Sequence, residues 1–206
     1  MRVAILGGTG RFGLACAQRL HQTGHRVMIG SRDIHKALEA VHEAGEGIIA
    51  GTNTDAATWC ETAFVAVPYS GHRVLLEPLQ QVLGGKIIID ATVPIDPANM
   101  LAIKTESGQS AAEETAAALP NAYVFAAFQT ISYRVLRQPG VSHDVLVAGG
   151  PHRKPEVMDL IRSMGLRPID AGPLEVAGHL EHMTVLLLSI NRANKVKESG
   201  IRITGI

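Results

Sequence analysis

A glycine-rich turn near the start of the chain limits the possible folds more than any other feature. Residues 2–7, RVAILG, predict a buried strand, and the run from Leu14 to Leu20 predicts a helix. The six residues between them fit the pattern G-x-G-x-x-G: Gly8, Thr9, Gly10, Arg11, Phe12 and Gly13. A strand, a glycine turn and a helix in this order are the fingerprint of a dinucleotide-binding βαβ unit.

The three glycines of the pattern have separate expected tasks. Gly8 allows the tight turn, Gly10 lets the backbone approach a pyrophosphate, and Gly13 lets the helix pack closely on the strand. The helix N-terminus offers free N–H groups and a partial positive charge to the phosphates. We therefore expect all six residues of the pattern, including Arg11 and Phe12, to contribute to cofactor binding.

The end of the second predicted strand indicates which dinucleotide binds. Residues 26–29, RVMI, predict this strand, and Gly30, Ser31 and Arg32 follow it. A free ribose 2′-hydroxyl would favour Asp or Glu here, whereas a hydroxyl and a guanidinium suit a 2′-phosphate. Lys36, one helical turn further on, adds positive charge. The pattern favours NADP(H) over NAD(H); the alternative is that Ser31 only caps a helix and Arg32 is solvated.

Composition excludes several classes of function. The 206 residues carry 19 Lys and Arg against 19 Asp and Glu, and 4% are aromatic, which argues against nucleic-acid and membrane-surface binding. Cys16 and Cys60 are interpreted as reduced core thiols of a cytoplasmic protein, and a strand that begins at Arg2 leaves no room for a targeting segment. We predict no metal site, because no third ligand accompanies His179 and His182.

Strands and helices alternate along the chain. This order predicts an α/β, Rossmann-type, doubly wound and mainly parallel sheet with a small C-terminal helical cap. We assign residues 1–150 to a dinucleotide-binding domain and residues 151–206 to a small extension packed on it, which could count as one domain. Further strands are predicted at 47–51, 62–67, 86–91, 122–127, 144–149 and 167–171. Further helices are predicted at 34–42, 53–57, 70–83, 110–119, 155–164 and 180–197, and residues 92–108 are predicted to be irregular.

Two strand ends are further candidate cofactor contacts, because ligands of open α/β sheets bind at the carboxyl ends of strands. Val67 and Pro68 end the fourth predicted strand, where the nicotinamide half would lie, unless Pro68 only stops the strand. Ala91 and Thr92 end the fifth strand in the same crevice. The chain has no G-x-S-x-G elbow and no Tyr-x-x-x-Lys pair. No catalytic residue is therefore assigned, and a short-chain dehydrogenase is disfavoured.

These residues resemble a known family, the NADPH-dependent reductases of coenzyme F420, an 8-hydroxy-5-deazaflavin. The likeness runs nearly end to end, and its most distinctive part is the segment 166–174, LRPIDAGPL. The other matching features are the glycines of 7–13, the Gly-Ser-Arg of 30–32, Pro68, the Thr-Ile pair of 130–131, Glu181 with Thr184, Asn191 and Gly200-Ile201.

The resemblance implies direct hydride transfer between nicotinamide C4 and deazaflavin C5. Such a transfer needs no protein nucleophile, so the task of the protein is to position two rings and to exclude water. The resemblance also implies that Thr9, Ser31 and Arg32 hold the phosphates of NADP(H), and that Val67 and Pro68 line the nicotinamide ribose.

On the acceptor side, the resemblance implies that Ile131 and Thr184 contact the deazaflavin, with Gln129 and Thr130 beside them. Two positions depart from the family pattern. Gln129 stands where family members carry His, and Gly178 stands where they carry Arg near the deazaflavin phosphate. The nucleotide half of the family site is thus intact, whereas the acceptor half is altered.

The sequence therefore predicts an NADP(H)-dependent oxidoreductase that transfers hydride to or from a deazaflavin or flavin-like partner. One alternative is an NADPH-dependent reductase of another small substrate, such as a flavin, a quinone or an imine. A second alternative is a non-catalytic NADP(H) sensor. Apolar residues of the last helix form a dimer seam or dock on the core, and we expect a homodimer; these residues are Leu180, Val185, Leu186, Leu187 and Ile190.

Overall fold

The computed structural model describes residues 1–138, 140 and 143–206. Its strands are β1 (Arg2–Leu6), β2 (Arg26–Ser31), β3 (Ile49–Thr52), β4 (Thr62–Val65), β5 (Ile87–Asp90), β6 (Ile95–Asp96), β7 (Asn99–Ile103), β8 (Tyr123–Ala127), β9 (Asp144–Gly149) and β10 (Arg167–Gly172). Its α-helices are α1 (Arg11–Gln22), α2 (Ile34–Ala44), α3 (Asn53–Trp59), α4 (His72–Leu76), α5 (Gln80–Leu83), α6 (Ala111–Ala118), α7 (Tyr133–Leu136), α8 (Lys154–Ser163) and α9 (Ala177–Asn194).

Eight strands form one sheet in the order β10-β9-β8-β5-β4-β1-β2-β3. All neighbouring strands from β3 to β8 run parallel. Apart from the inserted β6–β7 pair, this half has the Rossmann strand order, in which the direction of winding reverses between β1 and β4. The predicted fold class is therefore confirmed, and the crevice for a ligand lies at the carboxyl ends of β1 and β4.

The central strands of the sheet are buried on both faces because they are apolar. In β1, Val3 and Ile5 belong to a core with α1 and α8, whereas Ala4 and Leu6 belong to a core with α3 and α4. All four side chains are fully buried. A continuous apolar run is the pattern expected of a parallel strand covered by helices on both sides.

Strand β9 runs antiparallel to β8, and β10 returns parallel to β9. A parallel partner for β8 would need a crossover of a dozen or more residues, usually a helix that spans the sheet. Within the described residues of this connection, the one α-helix is the four-residue α7, which is too short to span the sheet and which the sequence did not predict. Strand β9 therefore starts at the edge of the sheet where β8 ends and runs back beside it.

Two predicted segments differ in the structure. The single helix predicted at 70–83 is divided into α4, a 3₁₀ turn at Glu77–Leu79 and α5. Pro78 explains the break, because it lacks an N–H group and its ring clashes with the preceding helical turn. The segment 92–108, predicted to be irregular, contains the antiparallel pair β6–β7.

The last helix begins and ends three residues earlier than predicted, at Ala177–Asn194. Its apolar residues divide into two groups. Leu180, Val185 and Leu187 are buried, whereas Leu186 and Ile190 are exposed. No helix within residues 1–138, 140 and 143–206 combines the length and apolar character needed to cross a membrane.

Candidate active site

The glycine turn after β1 is shaped by Gly7 rather than by Gly8. Gly7 has a φ of +67°, and a Cβ atom on it would lie 2.0 Å from Val67 Cγ1. The prediction that Gly8 allows the tight turn was therefore wrong. Gly8 is instead needed for close packing, because a Cβ there would lie 2.7 Å from the carbonyl oxygen of Ile5. Its N–H donates to the carbonyl oxygen of Gly30 at 3.0 Å, which ties the turn to β2.

The other two glycines of the pattern differ in their surroundings. A Cβ atom on Gly13 would lie 2.6 Å from Gly8 Cα, so α1 reaches the turn only because residue 13 has no side chain. A Cβ on Gly10 would meet no heavy atom within 4 Å. Gly10 is also the N-cap of α1 and supplies no side-chain cap. The first N–H groups of α1 are thus free to bind an anion.

A cavity of about 610 Å³ lies beside this turn, at the carboxyl ends of β1, β2 and β4. We call it the nucleotide cavity. Six of the predicted cofactor residues line it: Thr9, Ser31, Arg32, Lys36, Val67 and Pro68. Its other lining residues are Gly7, Asp33, Asn53, Ser70, Gly71 and Leu75.

Two cations in this cavity lack a carboxylate partner. Within the described part of the chain, neither Arg32 nor Lys36 lies within 4.0 Å of a carboxylate oxygen. The nearby Asp33 is engaged as the N-cap of α2, where its side chain accepts a hydrogen bond from His35 N at 2.9 Å. Asp33, not Ser31, therefore caps this helix. Among the residues that the structure describes, the Ser31 hydroxyl accepts only the N–H of Asp33, at 3.2 Å.

Asn53 is a cavity residue that the sequence did not identify. It is the first residue of α3, and its Oδ1 atom accepts a hydrogen bond from Gly7 N at 3.0 Å. A Cβ atom on Gly30 would lie 2.8 Å from the same oxygen. Asn53 thus fixes the glycine turn from the β3 side. The available signal was a polar residue at the start of a helix that follows a strand.

Arg11 and Phe12 extend from the glycine turn toward the segment after β8. The Phe12 ring meets Phe128 edge-on, with centroids 6.5 Å apart, and Arg11 lies over Tyr133. Phe128 is a non-glycine residue with a φ of +74°. Such strained conformations occur at functional sites, where the surrounding structure maintains them. Here the strained turn leads from β8 into Gln129.

The predicted acceptor residues after β8 are buried and bonded to other elements. Gln129, Thr130 and Ile131 are each only 5% exposed. The Thr184 hydroxyl, on α9, donates to the carbonyl oxygen of Gln129 at 2.8 Å. The Gln129 side chain donates from Nε2 to the carbonyl oxygen of Asp90 at 2.8 Å. The structure therefore brings Gln129 and Thr184 together at the carboxyl end of β5.

Asp90 is the centre of these contacts, although no sequence motif contains it. Its Oδ1 atom accepts from Thr92 N at 2.8 Å, and its Oδ2 atom lies 2.8 Å from His72 Nε2 and also accepts from the Thr115 hydroxyl. Its side chain is fully buried. A signal existed, because Asp90 ends an otherwise apolar strand. We call this group the Asp90 network: His72, Asp90, Thr92, Thr115, Gln129 and Thr184.

His72 and Asp90 form a buried ion pair. Burial alone would lower the pKa of His72, but the hydrogen bond and charge of Asp90 outweigh it and raise that pKa. Burial alone would raise the pKa of Asp90, but the hydrogen bond and charge of His72 and the hydroxyl of Thr115 bring it below its usual value. Both shifts favour the charged forms.

Glu181 is a second buried carboxyl group near this network. Its Oε1 atom accepts from Ala111 N at 2.8 Å, and its Oε2 atom has no hydrogen-bond partner in the described part of the chain. Burial raises its pKa to about 8, against the effect of the Ala111 N–H. Glu181 therefore carries a proton at neutral pH for most of the time.

The predicted site residues thus form two groups. Ala91 and Thr92 follow β5, where Ala91 N donates to the carbonyl oxygen of Val65 at 3.3 Å. Neither they nor the acceptor residues line the nucleotide cavity.

In residues 1–138, 140 and 143–206, no three His, Cys, Asp or Glu side chains are grouped to hold a metal ion. Fold and cavity together define a dinucleotide-binding protein of the Rossmann class.

Comparison with known proteins identifies the family. The family model described as NADP oxidoreductase, coenzyme F420-dependent, matches residues 2–94. The F420-dependent NADP reductase of Methanothermobacter marburgensis is 37% identical over 226 residues, covering 100% of this chain and 99% of that protein. The enzyme of the same name from Methanocaldococcus jannaschii is 34% identical over 224 residues, with 100% and 99% covered.

A solved structure agrees with this result. A proposed F420-dependent NADP reductase from Arthrobacter sp. FB24 matches with a TM-score of 0.90 and 25% identity, covering 100% of both chains. The chain therefore belongs to the F420-dependent NADP reductase family, which confirms the resemblance inferred from its residues. It is an oxidoreductase of that family.

Proposed function

We propose that this protein transfers hydride between NADP(H) and coenzyme F420. One observation carries the proposal. The nucleotide cavity presents Arg32 and Lys36, which have no carboxylate partner among the described residues, beside the Ser31 hydroxyl. The chain aligns over its whole length with F420-dependent NADP reductases. Free cations with a hydroxyl suit a 2′-phosphate, because guanidinium and ammonium groups make charge-assisted hydrogen bonds to phosphate.

The residues present fit NADP(H). Arg32, Lys36 and Ser31 would hold the 2′-phosphate. The open face of Gly10 and the free N–H groups of α1 leave room and positive potential for the pyrophosphate. Thr9 lines the same cavity beside the turn. Gly7, Gly8 and Gly13 shape the turn. Arg11 and Phe12 do not line the cavity.

The nicotinamide end would lie along the ends of β4 and β5. Val67 and Pro68 line the cavity next to the glycine turn. Ala91 and Thr92 occupy the equivalent position after β5, the neighbouring strand. These four residues would contact the ribose and the ring, since ligands of this fold bind outside the carboxyl ends of the strands.

The acceptor would lie against Gln129, Thr130, Ile131 and Thr184. When both are bound, NADP(H) would supply or accept a hydride at nicotinamide C4 and coenzyme F420 would exchange that hydride at C5, with one proton exchanged with solvent to balance the reaction. The protein contributes by holding rings in contact and excluding water. The hydrogen bonds of Gln129 to Asp90 and Thr184 make this wall rigid before binding.

A spectrophotometric assay tests the proposal. The protein is mixed with NADPH and, separately, with coenzyme F420, FMN, FAD, a quinone and an imine, and NADPH oxidation is followed. We expect turnover with F420 well above that with the other acceptors. Turnover of a flavin, quinone or imine without F420 turnover would support the alternative reductase, which Gln129 and Gly178 favour.

The same assay distinguishes an enzyme from a non-catalytic NADP(H) sensor. NADPH labelled with deuterium at one face of nicotinamide C4 should transfer the label to the acceptor from one face only. Transfer to no acceptor, together with tight NADPH binding, would favour the sensor. A structure with bound NADPH would show in either case whether Arg32 contacts the 2′-phosphate.

We also propose a homodimer, formed through α9 and β7. These elements are in contact. Their exposed apolar side chains include Leu186 and Ile190 on α9, and Met100 and Leu101 on β7, of which Leu186, Met100 and Leu101 are each at least 60% exposed. Exposed apolar side chains on neighbouring elements are a feature of interfaces. Sedimentation at micromolar concentration should give a dimer, and Leu186→Glu should give a monomer.

Two further proposals concern location and domain organisation. Cys16 and Cys60 are free and buried, which is usual in a reducing compartment, and we place the protein in the cytoplasm. Fractionation of cells that express a tagged chain tests this placement.

We assign residues 151–206 to an extension that folds with residues 1–150, since β10 pairs with β9 in the same sheet. A single unfolding transition in urea would support this unit.

A further inference from the structure

Two neighbouring strands end beside the space assigned to the nicotinamide, and one buried pair of side chains joins their ends. Strand β5 ends at Asp90 and runs parallel to β4. After β4 the chain passes Pro68 and forms a 3₁₀ turn at Tyr69–Gly71, and α4 then begins at His72. His72 Nε2 lies 2.8 Å from Asp90 Oδ2. The pair therefore connects the start of α4 to the end of β5.

On the β4 side, the turn that precedes His72 is part of the wall of the nucleotide cavity. Pro68, Ser70 and Gly71 all line that cavity. The turn is closed by a hydrogen bond from Gly71 N to the carbonyl oxygen of Pro68 at 2.9 Å. The His72 ring stacks on the Tyr69 ring, with centroids 5.9 Å apart. A shift of His72 would therefore shift the turn and the cavity wall with it.

On the β5 side, Asp90 holds two groups that have unused hydrogen-bonding atoms. Its Oδ1 atom accepts from Thr92 N, and its carbonyl oxygen accepts from Gln129 Nε2, both at 2.8 Å. Yet the Thr92 hydroxyl and Gln129 Oε1 are buried without a hydrogen-bond partner in the described part of the chain. Buried polar atoms are normally paired, and the exceptions call for an explanation such as a bound group. These two atoms indicate that the network serves a ligand as well as the fold.

We propose that His72 is a positioning residue for hydride transfer, which acts through Asp90 to fix the chain ends after β4 and β5 on either side of the nicotinamide ring. The inference rests on the proposed function. His72 is only 2% exposed and does not line the nucleotide cavity, so its effect passes through its neighbours. Direct hydride transfer depends on placement of the two rings, and misplacement by about 1 Å can cost about 100-fold in rate.

A second cavity gives access to His72 from the other side. It has a volume of about 680 Å³ and is lined by residues of α4, α6 and the segment between β7 and α6, among them His72, Leu76 and Ala117. The exposed side chains of Arg73 and Glu77 also line it, so it opens to solvent. Imidazole is much smaller than this volume. It should therefore reach the space that is left when the His72 side chain is removed.

Three measurements on the full chain separate ring placement from binding of the phosphorylated end. They are the Kd of adenosine 2′,5′-bisphosphate, which has no nicotinamide, the fluorescence lifetime of the bound NADPH ring, and the single-turnover rate of hydride transfer to coenzyme F420. His72→Ala should lower that rate about 100-fold and change the Kd less than about twofold. The lifetime should fall toward that of free NADPH, because the ring is less firmly held.

Matched variants locate the effect. His72→Gln keeps an N–H donor for Asp90 but loses the charge, so its rate should be about tenfold below that of the wild type. Added imidazole should raise the rate of His72→Ala at least about tenfold and leave the wild type unchanged. His42→Ala, at an exposed histidine of α2, is the control and should change none of the three measurements. Circular dichroism verifies folding, and His72→Gln decides the question if His72→Ala does not fold.

Two results would overturn the inference alone. An unchanged rate and lifetime in His72→Gln would show that the pair does not position the ring. Equal losses of bisphosphate binding and of hydride transfer in the His72 variants would mean that His72 only supports the fold.

Two further results separate this inference from the proposed function. A wild type that does not reduce F420, but whose NADPH lifetime falls in His72→Gln, would reject the proposed acceptor and support the positioning role. A wild type that binds neither NADPH nor the bisphosphate would reject the proposed function and the inference together.

Discussion

The nucleotide cavity and the Asp90 network are neighbouring parts of one crevice with opposite use of polar groups. In the cavity, Arg32 and Lys36 have no carboxylate partner in the described part of the chain. On the adjacent turn, a Cβ atom on Gly10 would meet no heavy atom within 4 Å. In the network, Asp90 is fully buried and hydrogen-bonded on both carboxylate oxygens, and Gln129 is fixed at its side chain and its carbonyl. The cavity can bind a negatively charged ligand, whereas most polar groups of the network already have hydrogen-bond partners within the protein.

This difference indicates separate tasks. A site for a phosphorylated cofactor gains affinity from unpaired cations that the ligand neutralises. A wall that must hold a ring in contact with the nicotinamide gains more from rigidity, because misplacement of reacting atoms by about 1 Å can cost about 100-fold in rate. Substitutions in the cavity should therefore change cofactor affinity more than stability, whereas substitution of the buried carboxylate of the network should change stability more than affinity.

The largest expected effect follows from Asp90→Asn. The substitution leaves the buried His72 without its anionic partner, and breaking one side of a buried pair costs about 3–5 kcal/mol. We expect the free energy of unfolding in urea to fall by about this amount. Asp159→Asn, at an exposed site, is the control. A loss below about 1 kcal/mol would contradict the ion pair, and His72→Gln added to Asp90→Asn should recover part of the loss.

The next effect concerns the cavity. Arg32→Asp should lower kcat/KM for NADPH about 100-fold, because a hydrogen bond to a charged group worth about 1.5–3 kcal/mol is replaced by repulsion. The kcat/KM for NADH should change little, since NADH has no 2′-phosphate. Steady-state kinetics with both cofactors measure the ratio, and Arg32→Lys should retain most of the preference. An unchanged ratio in Arg32→Asp would remove the basis for NADP(H) specificity.

A third test uses pH. The folded state holds the proton of Glu181 up to about pH 8, whereas an unfolded glutamate releases it near pH 4.5. Between these values the folded state binds more protons, so the free energy of unfolding falls as pH rises. In Glu181→Gln this decrease in the free energy of unfolding should be absent, because glutamine does not titrate. The variant should exceed the wild type in stability by at least about 1 kcal/mol at pH 8.5 and by little at pH 5.

Urea unfolding of both proteins at the two pH values gives this difference. Glu175→Gln, at an exposed residue before α9, is the matched control and should show no pH-dependent gain. A Glu181→Gln variant with the same stability difference at pH 5 and pH 8.5 would contradict the raised pKa of Glu181.

The smallest effect is expected for Thr184→Val. The change removes one hydrogen bond to the Gln129 carbonyl, worth about 1 kcal/mol. We expect the KM for the acceptor to rise a few-fold while the KM for NADPH stays constant. Thr184→Ser, which keeps the hydroxyl, should behave like the wild type. Equal changes in both KM values would show that the two halves of the crevice are not independent.

The sequence predicted the nucleotide cavity better than the network, and the reason is distance along the chain. Ser31 ends β2, Arg32 follows it, and Thr9 lies three residues after the end of β1, so a local motif and one topological rule bring them together. Asp90 meets His72, Thr115 and Gln129 across 18, 25 and 39 residues. No periodic pattern of residues predicts contacts between positions so far apart in the chain. The one sequence signal was the aspartate at the end of the otherwise apolar strand β5.

The same reasoning explains the errors in the fold. The strands of the parallel half are continuous apolar runs, and the sequence located them to within a few residues. The direction of β9 depends on what connects it to β8, which residue patterns do not reveal. The β6–β7 pair lies among Pro94 and Pro97, where breaker residues concealed two short strands. In the glycine turn, the motif identified the segment but assigned the tight turn to Gly8, whereas Gly7 is the residue with a positive φ.

The contact between Gly7 and Val67 has a practical consequence for engineering this enzyme. The loops after β1 and β4 approach so closely that any side chain at position 7 would displace the loop assigned to the nicotinamide end. A library designed to change cofactor choice should therefore keep Gly7 constant and randomise positions 31, 32 and 36, which lie at the cavity surface beyond this contact. If position 7 were also randomised, most variants in the library would have a misfolded loop.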